Sequence, residues 1–212
     1  MREVGNTVTE YATVKERTEG RFSIEKSVFL YICAPVAGAQ DAENTLNSIR
    51  KEYPDATHHC YAYIADTLGN EMRFSDDGEP QGTAGMPMLE ILKANNLRRI
   101  LICAVRWFGG KKLGAGGLTR AYARAAKEAA ASAAIITRKL CAVFSLSLSY
   151  EFSDKISRYL KDCGAAVIKT DYGAEINTEF AVPLEKEKII VEGLKELSGG
   201  FLSPVKLKEE FI

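Results

Sequence analysis

Two histidines and three carboxylates are the side chains best suited to acid–base chemistry or metal binding in this 212-residue chain. His58 and His59 are its only histidines, and Asp76, Asp77 and Glu79 share one short turn further along. Histidine and carboxylate could act as general acid and base, or could together hold a metal ion. Adjacent strand residues point to opposite faces, so at most one histidine can face a given site. We expect a structural role, such as a hydrogen bond from a histidine to the acidic turn, rather than a metal site.

A second stretch combines cations with glycines, a composition that suits an anion site. Residues 106–120 read RWFGGKKLGAGGLTR, and the glycines precede a predicted helix. Glycine admits positive φ and close approach to the backbone, and a helix N-terminus offers unpaired N–H groups and a positive dipole end. The candidate residues for binding an anion or nucleic acid are Arg106, Trp107, Lys111, Lys112, Gly114, Gly116, Gly117, Arg120 and Arg124. Trp107 and Phe108 could stack on bases or could belong to the core.

The charges of these two stretches are segregated. Residues 66–90 hold six carboxylates against one arginine, whereas residues 98–127 hold eight lysines and arginines and no carboxylate. A block of one sign often faces a partner of the other sign. That partner could lie outside the protein, or the acidic turn could neutralise the basic stretch within the fold.

Composition excludes several classes of protein. The net charge is zero, so recognition of an anionic partner must be local. The chain has five cysteines and no Cys-x-x-Cys motif, which favours reduced thiols over a disulfide frame or a zinc site. We expect no metal and no cofactor. Residues 1–6 lack the apolar core of a signal peptide, and no apolar run could span a bilayer, so the sequence predicts a cytoplasmic protein with no membrane part.

Hydrophobic periodicity predicts a mixed α+β first domain over residues 1–136. The expected strands are residues 7–15, 22–36 (either unbroken or broken near Lys26), 59–64, 72–74 and 100–105, with a turn at Glu19–Gly20. The expected helices are residues 41–53, a segment from about 83 or 87 to 94, and residues 117–135. The unbroken apolar run at residues 100–105 is typical of a central strand. It leads directly into the basic glycine-rich stretch.

The periodicity predicts a second domain over residues 138–212 with the order β-α-β-β-α-β, which is the ferredoxin-like pattern. A sheet that reads RNA would carry aromatic residues on its open face. The non-core positions of this sheet are instead polar or acidic: Ser145, Ser147, Ser149, Glu175, Asn177 and Glu179. The second domain is therefore not an obvious RNA reader.

Three segments resemble the YigZ/IMPACT family. They are His58-His59-Cys60, residues 74–87 (FSDDGEPQGTAGMP, which includes Asp76, Asp77, Glu79 and Thr83) and residues 105–122 (VRWFGGKKLGAGGLTRAY). The resemblance implies an N-terminal α+β domain like the second domain of a small-subunit ribosomal protein. It also implies a ferredoxin-like C-terminal domain similar to the last domain of elongation factor G.

Mammalian and yeast relatives in that family act in translational control through a partner protein on the ribosome. For bacterial members the resemblance implies binding to nucleic acid or to the ribosome.

Two functions from different classes follow. The first is a non-catalytic, translation-associated or regulatory protein that binds RNA or a ribosomal partner through the basic stretch. The second is an enzyme that uses His58 or His59 with the acidic turn on a phosphorylated or other anionic substrate. No phosphate-loop lysine motif and no nucleophile elbow occurs in the sequence, so the enzyme is the alternative. The sequence does not set the oligomeric state.

Overall fold

The computed structural model describes residues 8–212 of the chain. The first residue of the strand expected at 7–15, and the segment 1–6 that lacks a signal-peptide core, lie outside this range. The architecture is mixed α+β, as expected. The described residues form two compact units, Tyr11–Thr137 and a second unit of Arg138–Ile212 with residues 8–10. Independent folding of residues 138–212 stays a prediction.

The first unit is built on a five-stranded sheet that is antiparallel throughout. Its strands and helices, in chain order, are β1 (Glu10–Val14), β2 (Thr18–Ile24), β3 (Ser27–Pro35), α1 (Ala39–Glu52), β4 (His58–Ile64), β5 (Met72–Ser75), α2 (Gly85–Ala94), β6 (Ile100–Trp107) and α3 (Gly114–Ser132). The sheet has the order β2-β3-β6-β4-β5 and does not include β1. The apolar run predicted to be central is therefore the central strand, β6.

Strand alternation gives this sheet two apolar faces. One face packs on α1 through Ala42, Leu46 and Ile49. The other packs on α2 and α3. Helix α3 buries alanines against the sheet, at positions 121, 125, 126, 129 and 130, together with Leu118 and Tyr122. Because alanine is small, the helix backbone can lie close to the strands.

The first hairpin agrees only in part with the expectation. The segment 22–36, predicted as a strand either unbroken or broken near Lys26, is two strands, β2 and β3, joined by a turn at Glu25 and Lys26, which have φ of 47° and 69°. The break near Lys26 is therefore present, although Glu25 and Lys26 are not the Asn-Gly pair that is common in a type I′ hairpin turn. Gly20, predicted as a turn, lies within β2 opposite Tyr31, where a Cβ would meet the tyrosine hydroxyl at 2.2 Å.

The second unit has the ferredoxin-like pattern that the sequence predicted. Its elements are β7 (Ile135–Leu148, which begins before the unit boundary), α4 (Tyr150–Asp162), β8 (Ala166–Tyr172), β9 (Ile176–Pro183), α5 (Glu187–Leu197) and β10 (Val205–Phe211). The strand order is β8-β9-β7-β10, all antiparallel. The core between the helices and the sheet is formed by residues such as Phe144, Ile156, Phe180 and Leu194.

The five cysteines are all free thiols, and four of them are buried. Burial raises the pKa of the Cys33 and Cys103 thiols to about 12, so both are protonated at neutral pH and poorly reactive. No helix within residues 8–212 is long and apolar enough to cross a membrane.

Candidate functional site

A buried ion pair joins the acidic turn to the end of β6. Arg106 Nη1 donates to Glu79 Oε1 at 2.5 Å, and only 3% of Arg106 and 9% of Glu79 are exposed. The Tyr122 hydroxyl donates to the same carboxylate oxygen at 2.7 Å, and Arg106 Nη2 donates to Ser27 Oγ at 3.1 Å. Burial, followed by the neighbouring Cys60 and Glu79, raises the pKa of the Tyr122 hydroxyl. The network ties the acidic turn, the sheet and α3 together.

The acidic turn uses its remaining carboxylates to hold the backbone. Asp76 accepts hydrogen bonds from the backbone N–H groups of Gly82, Ala84 and Gly85 at 2.8, 2.9 and 2.9 Å. These groups lie at the start of α2, where N–H groups lack partners within the helix. Asp77 accepts from the backbone N–H of His59 at 2.6 Å. Neither carboxylate is a free ligand for a substrate.

The Thr83 hydroxyl has a structural role of the same kind. It donates to the Pro80 carbonyl oxygen at 2.6 Å and is buried. Gly85 lies so close to Ser75 that a Cβ would meet its backbone at 2.8 Å. The residues of this turn are packed against the sheet edge, and the sequence motif is explained in large part by that packing.

Each histidine is held by a backbone carbonyl group. His58 Nδ1 donates to the Asp77 oxygen at 2.8 Å, which leaves Nε2 at 3.8 Å from Glu79 Oε1. His59 Nε2 donates to the Tyr53 oxygen at 3.0 Å. Within residues 8–212 no three histidine, cysteine or carboxylate side chains are placed to hold a metal ion together. Of the two histidines, His58 alone lines the cavity described next.

A cavity of about 370 Å³ lies between the acidic turn and the start of α3. Its lining residues are Thr57, His58, Glu79, Pro80, Arg106, Phe108, Lys112, Leu113, Gly114, Ala115 and Leu118. The strand β4 supplies His58, the end of β6 supplies Arg106, and the glycine-rich turn supplies Lys112. With Glu79 and Pro80 from the acidic turn, the cavity therefore contains residues of all three sequence segments described above.

The first turn of α3 contains no negatively charged residue. Leu113 stands at the N-cap position without a side-chain hydrogen bond. Gly114 has φ of 72°, a conformation that favours glycine. Lys111 and Lys112 immediately precede the helix, and a Cβ at Gly116 would lie 3.4 Å from the Arg120 guanidinium. Cations at the positive end of a helix dipole are unfavourable.

The predicted basic residues are not all equally available. Arg106 is buried in its ion pair, while Lys111 pairs with Glu25 at 2.7 Å and Arg124 with Glu128 at 2.7 Å. Lys112 and Arg120 are exposed and have no ion pair within the described part of the chain. Lys112 and Arg120 are therefore available to an external partner, whereas Arg106 is not.

Trp107 lies apart from the glycine-rich turn. It packs with the residues on the α1 face of the sheet, and its Nε1 donates to Asp55 at 2.9 Å. Its ring meets the edge of the Tyr53 ring at 5.9 Å. Because side chains alternate along a strand, Arg106 and Trp107 must point to opposite faces. Phe108, which is 45% exposed, is the aromatic residue that lines the cavity.

Sequence reasoning missed two members of the buried network. Tyr122 lies in the helix predicted at residues 117–135 and Ser27 in the segment predicted as strand at residues 22–36, and neither was a candidate site residue. The available signal was Arg106 itself, which directly follows an unbroken apolar run. A buried charge needs a counter-charge and hydrogen bonds, so a strand ending this way implies partners elsewhere in the chain.

Comparison with known proteins identifies the family. The profile described as Impact N-terminal domain matches residues 25–130, which include every residue of the cavity. The IMPACT family member YvyE of Bacillus subtilis is 36% identical over 190 residues, 90% of this chain and 88% of YvyE. YigZ of Escherichia coli is 34% identical over 188 residues, 88% of this chain and 92% of YigZ.

A more distant relative matches part of the chain, and a solved structure matches nearly all of it. Rabbit Protein IMPACT is 31% identical over 93 residues, which are 42% of this chain and 29% of that protein. A crystal structure of a hypothetical protein superposes with a TM-score of 0.65 at 31% identity, covering 96% of this chain and 100% of that one. The protein described above is therefore a member of the IMPACT family.

Proposed function

We propose that this protein is a non-catalytic, translation-associated regulatory protein that binds RNA through a basic glycine-rich surface. We define that surface as Lys111, Lys112, Gly114, Gly116, Gly117 and Arg120. The observation that carries the proposal is the gathering of cations at an uncapped helix start that has no carboxylate in its first turn. The resemblance to relatives in translational control agrees with it.

The arrangement costs stability that a simple structural role would avoid. A carboxylate in the first turn of a helix stabilises it by about 0.3–1 kcal/mol, and a nearby cation acts in the opposite sense. An anion bound at this place would satisfy both the free N–H groups and the cations. Phosphates of a nucleic-acid backbone have the required charge and geometry. An exposed surface of this composition suits such a partner.

The expected binding is local and of moderate salt dependence. Since the net charge of the chain is zero, no overall attraction to RNA is expected. If the surface neutralises about three phosphates of a single strand, the slope of log affinity against log salt is about −2. A slope of this size differs from that of a uniformly basic RNA-binding protein.

Titration of a single-stranded RNA over a range of salt concentrations tests the proposal. Reversing Lys111 and Lys112 together to glutamate should weaken binding and flatten the salt slope while the fold stays intact. The matched control is Lys186→Glu with Lys188→Glu, which makes the same charge change at exposed positions of the second unit. Equal binding of RNA by the first double variant and the unmodified protein at low salt would reject the surface. No RNA binding by either would favour a protein partner instead.

The alternative is an enzyme, and one observation favours it. His58 has its Nδ1 proton fixed by the Asp77 carbonyl group, so its Nε2 is the free nitrogen of a residue that lines the cavity. Such a nitrogen could act as a general base toward a phosphorylated or other anionic substrate. The carboxylates of the acidic turn do not assist, because Asp76, Asp77 and Glu79 are held by structural bonds. Turnover of a phosphate ester that disappears in His58→Ala and persists in His59→Ala would establish the enzyme.

A further inference from the structure

The lining of the cavity beside α3 combines two kinds of surface. Pro80, Phe108, Leu113 and Leu118 are apolar, whereas Lys112 and the start of α3 are electropositive. Sites for small molecules are mostly apolar, with a few convergent polar groups, and have volumes of about 300–1,000 Å³. The volume of about 370 Å³ falls at the lower end of that range. The cavity thus has room for a small ligand or for one end of a longer one.

The charges that line the cavity favour an anion. They are the two cations Arg106 and Lys112 and the single carboxylate of Glu79. Glu79 is neutralised by Arg106 and accepts a further hydrogen bond from Tyr122, so the charge of Lys112 remains. Arg106 Nε has no hydrogen-bond partner within the described part of the chain, but it is buried, and the Arg106 guanidinium lies over the Phe108 ring at 5.6 Å. The exposed cation of the lining is therefore Lys112.

The apolar part of the lining favours an anion that also carries an aromatic or apolar group. Phe108 is 45% exposed and lines the cavity together with Lys112. An aromatic ring beside a cation suits a ligand that carries a base and a phosphate, because bases stack on aromatic side chains. A phosphate monoester carries nearly two negative charges at neutral pH, whereas a phosphodiester inside a chain carries one.

We propose that this cavity binds a nucleoside monophosphate group, either as the terminal nucleotide of an RNA or as a free nucleotide. The inference rests on the proposed function in that RNA supplies the terminal phosphate. It goes further in assigning a separate position for the chain end, inside the cavity, next to the surface that holds the backbone. Lys112 belongs to both, and Phe108 to the cavity alone.

Binding of free ligands tests the cavity directly. We expect adenosine 5′-monophosphate to bind at least about tenfold more tightly than adenosine, because the charge-assisted hydrogen bonds to the phosphate are lost in the nucleoside. Inorganic phosphate should also bind about tenfold more weakly than the nucleotide, because it cannot stack on Phe108. Calorimetric titration of the full chain with the three ligands gives these ratios.

Three variants assign the binding to this place. Lys112→Ala and Phe108→Ala should each weaken nucleotide binding by about tenfold. Lys127→Ala is the matched control, since it removes the same charge at an exposed position of α3 that belongs neither to the basic surface nor to the cavity lining. It should bind the nucleotide as the unmodified protein does. The thermal unfolding midpoint of each variant shows whether the fold is kept.

RNA oligonucleotides of one sequence distinguish the two sources of the ligand. If the chain end is the ligand, an RNA with a terminal phosphate binds more tightly than the dephosphorylated RNA, and Phe108→Ala removes the difference. If the free nucleotide is the ligand, the nucleotide binds and the two RNAs are equal. If the nucleotide does not bind and the two RNAs bind equally well, the inference is overturned and the proposed function stands. If the unmodified protein binds the nucleotide but neither RNA, the proposed function is overturned and the cavity assignment stands.

Discussion

Helices α2 and α3 begin in opposite ways, although both follow turns rich in glycine. The start of α2 is held by Asp76, which accepts hydrogen bonds from three backbone N–H groups. The start of α3 has no capping side chain and no carboxylate, and two lysines precede it. The N–H groups at the start of α2 are therefore satisfied by a side chain of the protein, while the start of α3 is electropositive and exposed.

This difference distinguishes the residues of the sequence motif that stabilise the fold from those that we propose to bind a partner. The carboxylates Asp76, Asp77 and Glu79 hold a helix start, a strand and a buried arginine, so the acidic turn is explained by the fold. The cations Lys112 and Arg120 have no such partner in the described chain, and the fold does not account for them. Of the two explanations for the segregated charges, the internal one holds for Arg106 and the external one is our proposal for the surface.

The largest loss of stability is expected when the buried ion pair between Glu79 and Arg106 is broken. Glu79→Gln leaves the Arg106 charge without a counter-charge at a site that is almost fully buried. Loss of one partner of a buried pair costs about 3–5 kcal/mol of unfolding free energy. Denaturant unfolding measures it. The control is Glu25→Gln, which breaks the exposed pair with Lys111 and should cost about 0–1 kcal/mol. Equal small losses in both variants would show that the buried pair does not join the turns.

A smaller effect is expected at the start of α2. Asp76→Ala removes the acceptor of three backbone N–H groups at α2 and should lower the unfolding free energy by about 2 kcal/mol, the upper end of the range for helix caps. Asp76→Asn keeps an acceptor oxygen and should lose less. Chemical denaturation of the two variants gives the comparison. An unchanged stability in Asp76→Ala would mean that α2 does not depend on this carboxylate, and the contrast with α3 would fail.

The sequence predicted the elements of the fold better than the orientation of their side chains. The apolar run 100–105 marked the central strand, and the periodic segment 117–135 marked helix α3. The break near Lys26 was one of two expectations for residues 22–36, whereas the turn predicted at Glu19 and Gly20 is wrong, because both residues pair with β3. This failure is local and follows from a pairing that only the packed hairpin imposes.

The sequence predicted which residues lie near the candidate site, but not which of them are buried in the fold and which face the solvent. Strand alternation places Arg106 and Trp107 on opposite faces, but the sequence does not say which face meets α3. Both were assigned to one binding surface, whereas Arg106 turns inward to Glu79 and Trp107 packs with the α1 face. Partners that are 27 and 79 residues away along the chain, Glu79 and Ser27, decide this orientation.

The most direct test gives α3 the kind of start that stabilises a helix. Ala115 is exposed in the first turn of α3 and lines the cavity. Ala115→Glu should raise the unfolding free energy by about 0.3–1 kcal/mol, because a carboxylate suits the positive helix end, and should weaken RNA binding by at least about tenfold, because it displaces the phosphate. Ala131→Glu is the control, since it adds the same charge at an exposed position near the other end of α3; it should lower stability slightly and leave RNA binding unchanged. Opposite changes in stability and RNA affinity for Ala115→Glu are the predicted result, and RNA binding equal to that of the unmodified protein would contradict the proposal.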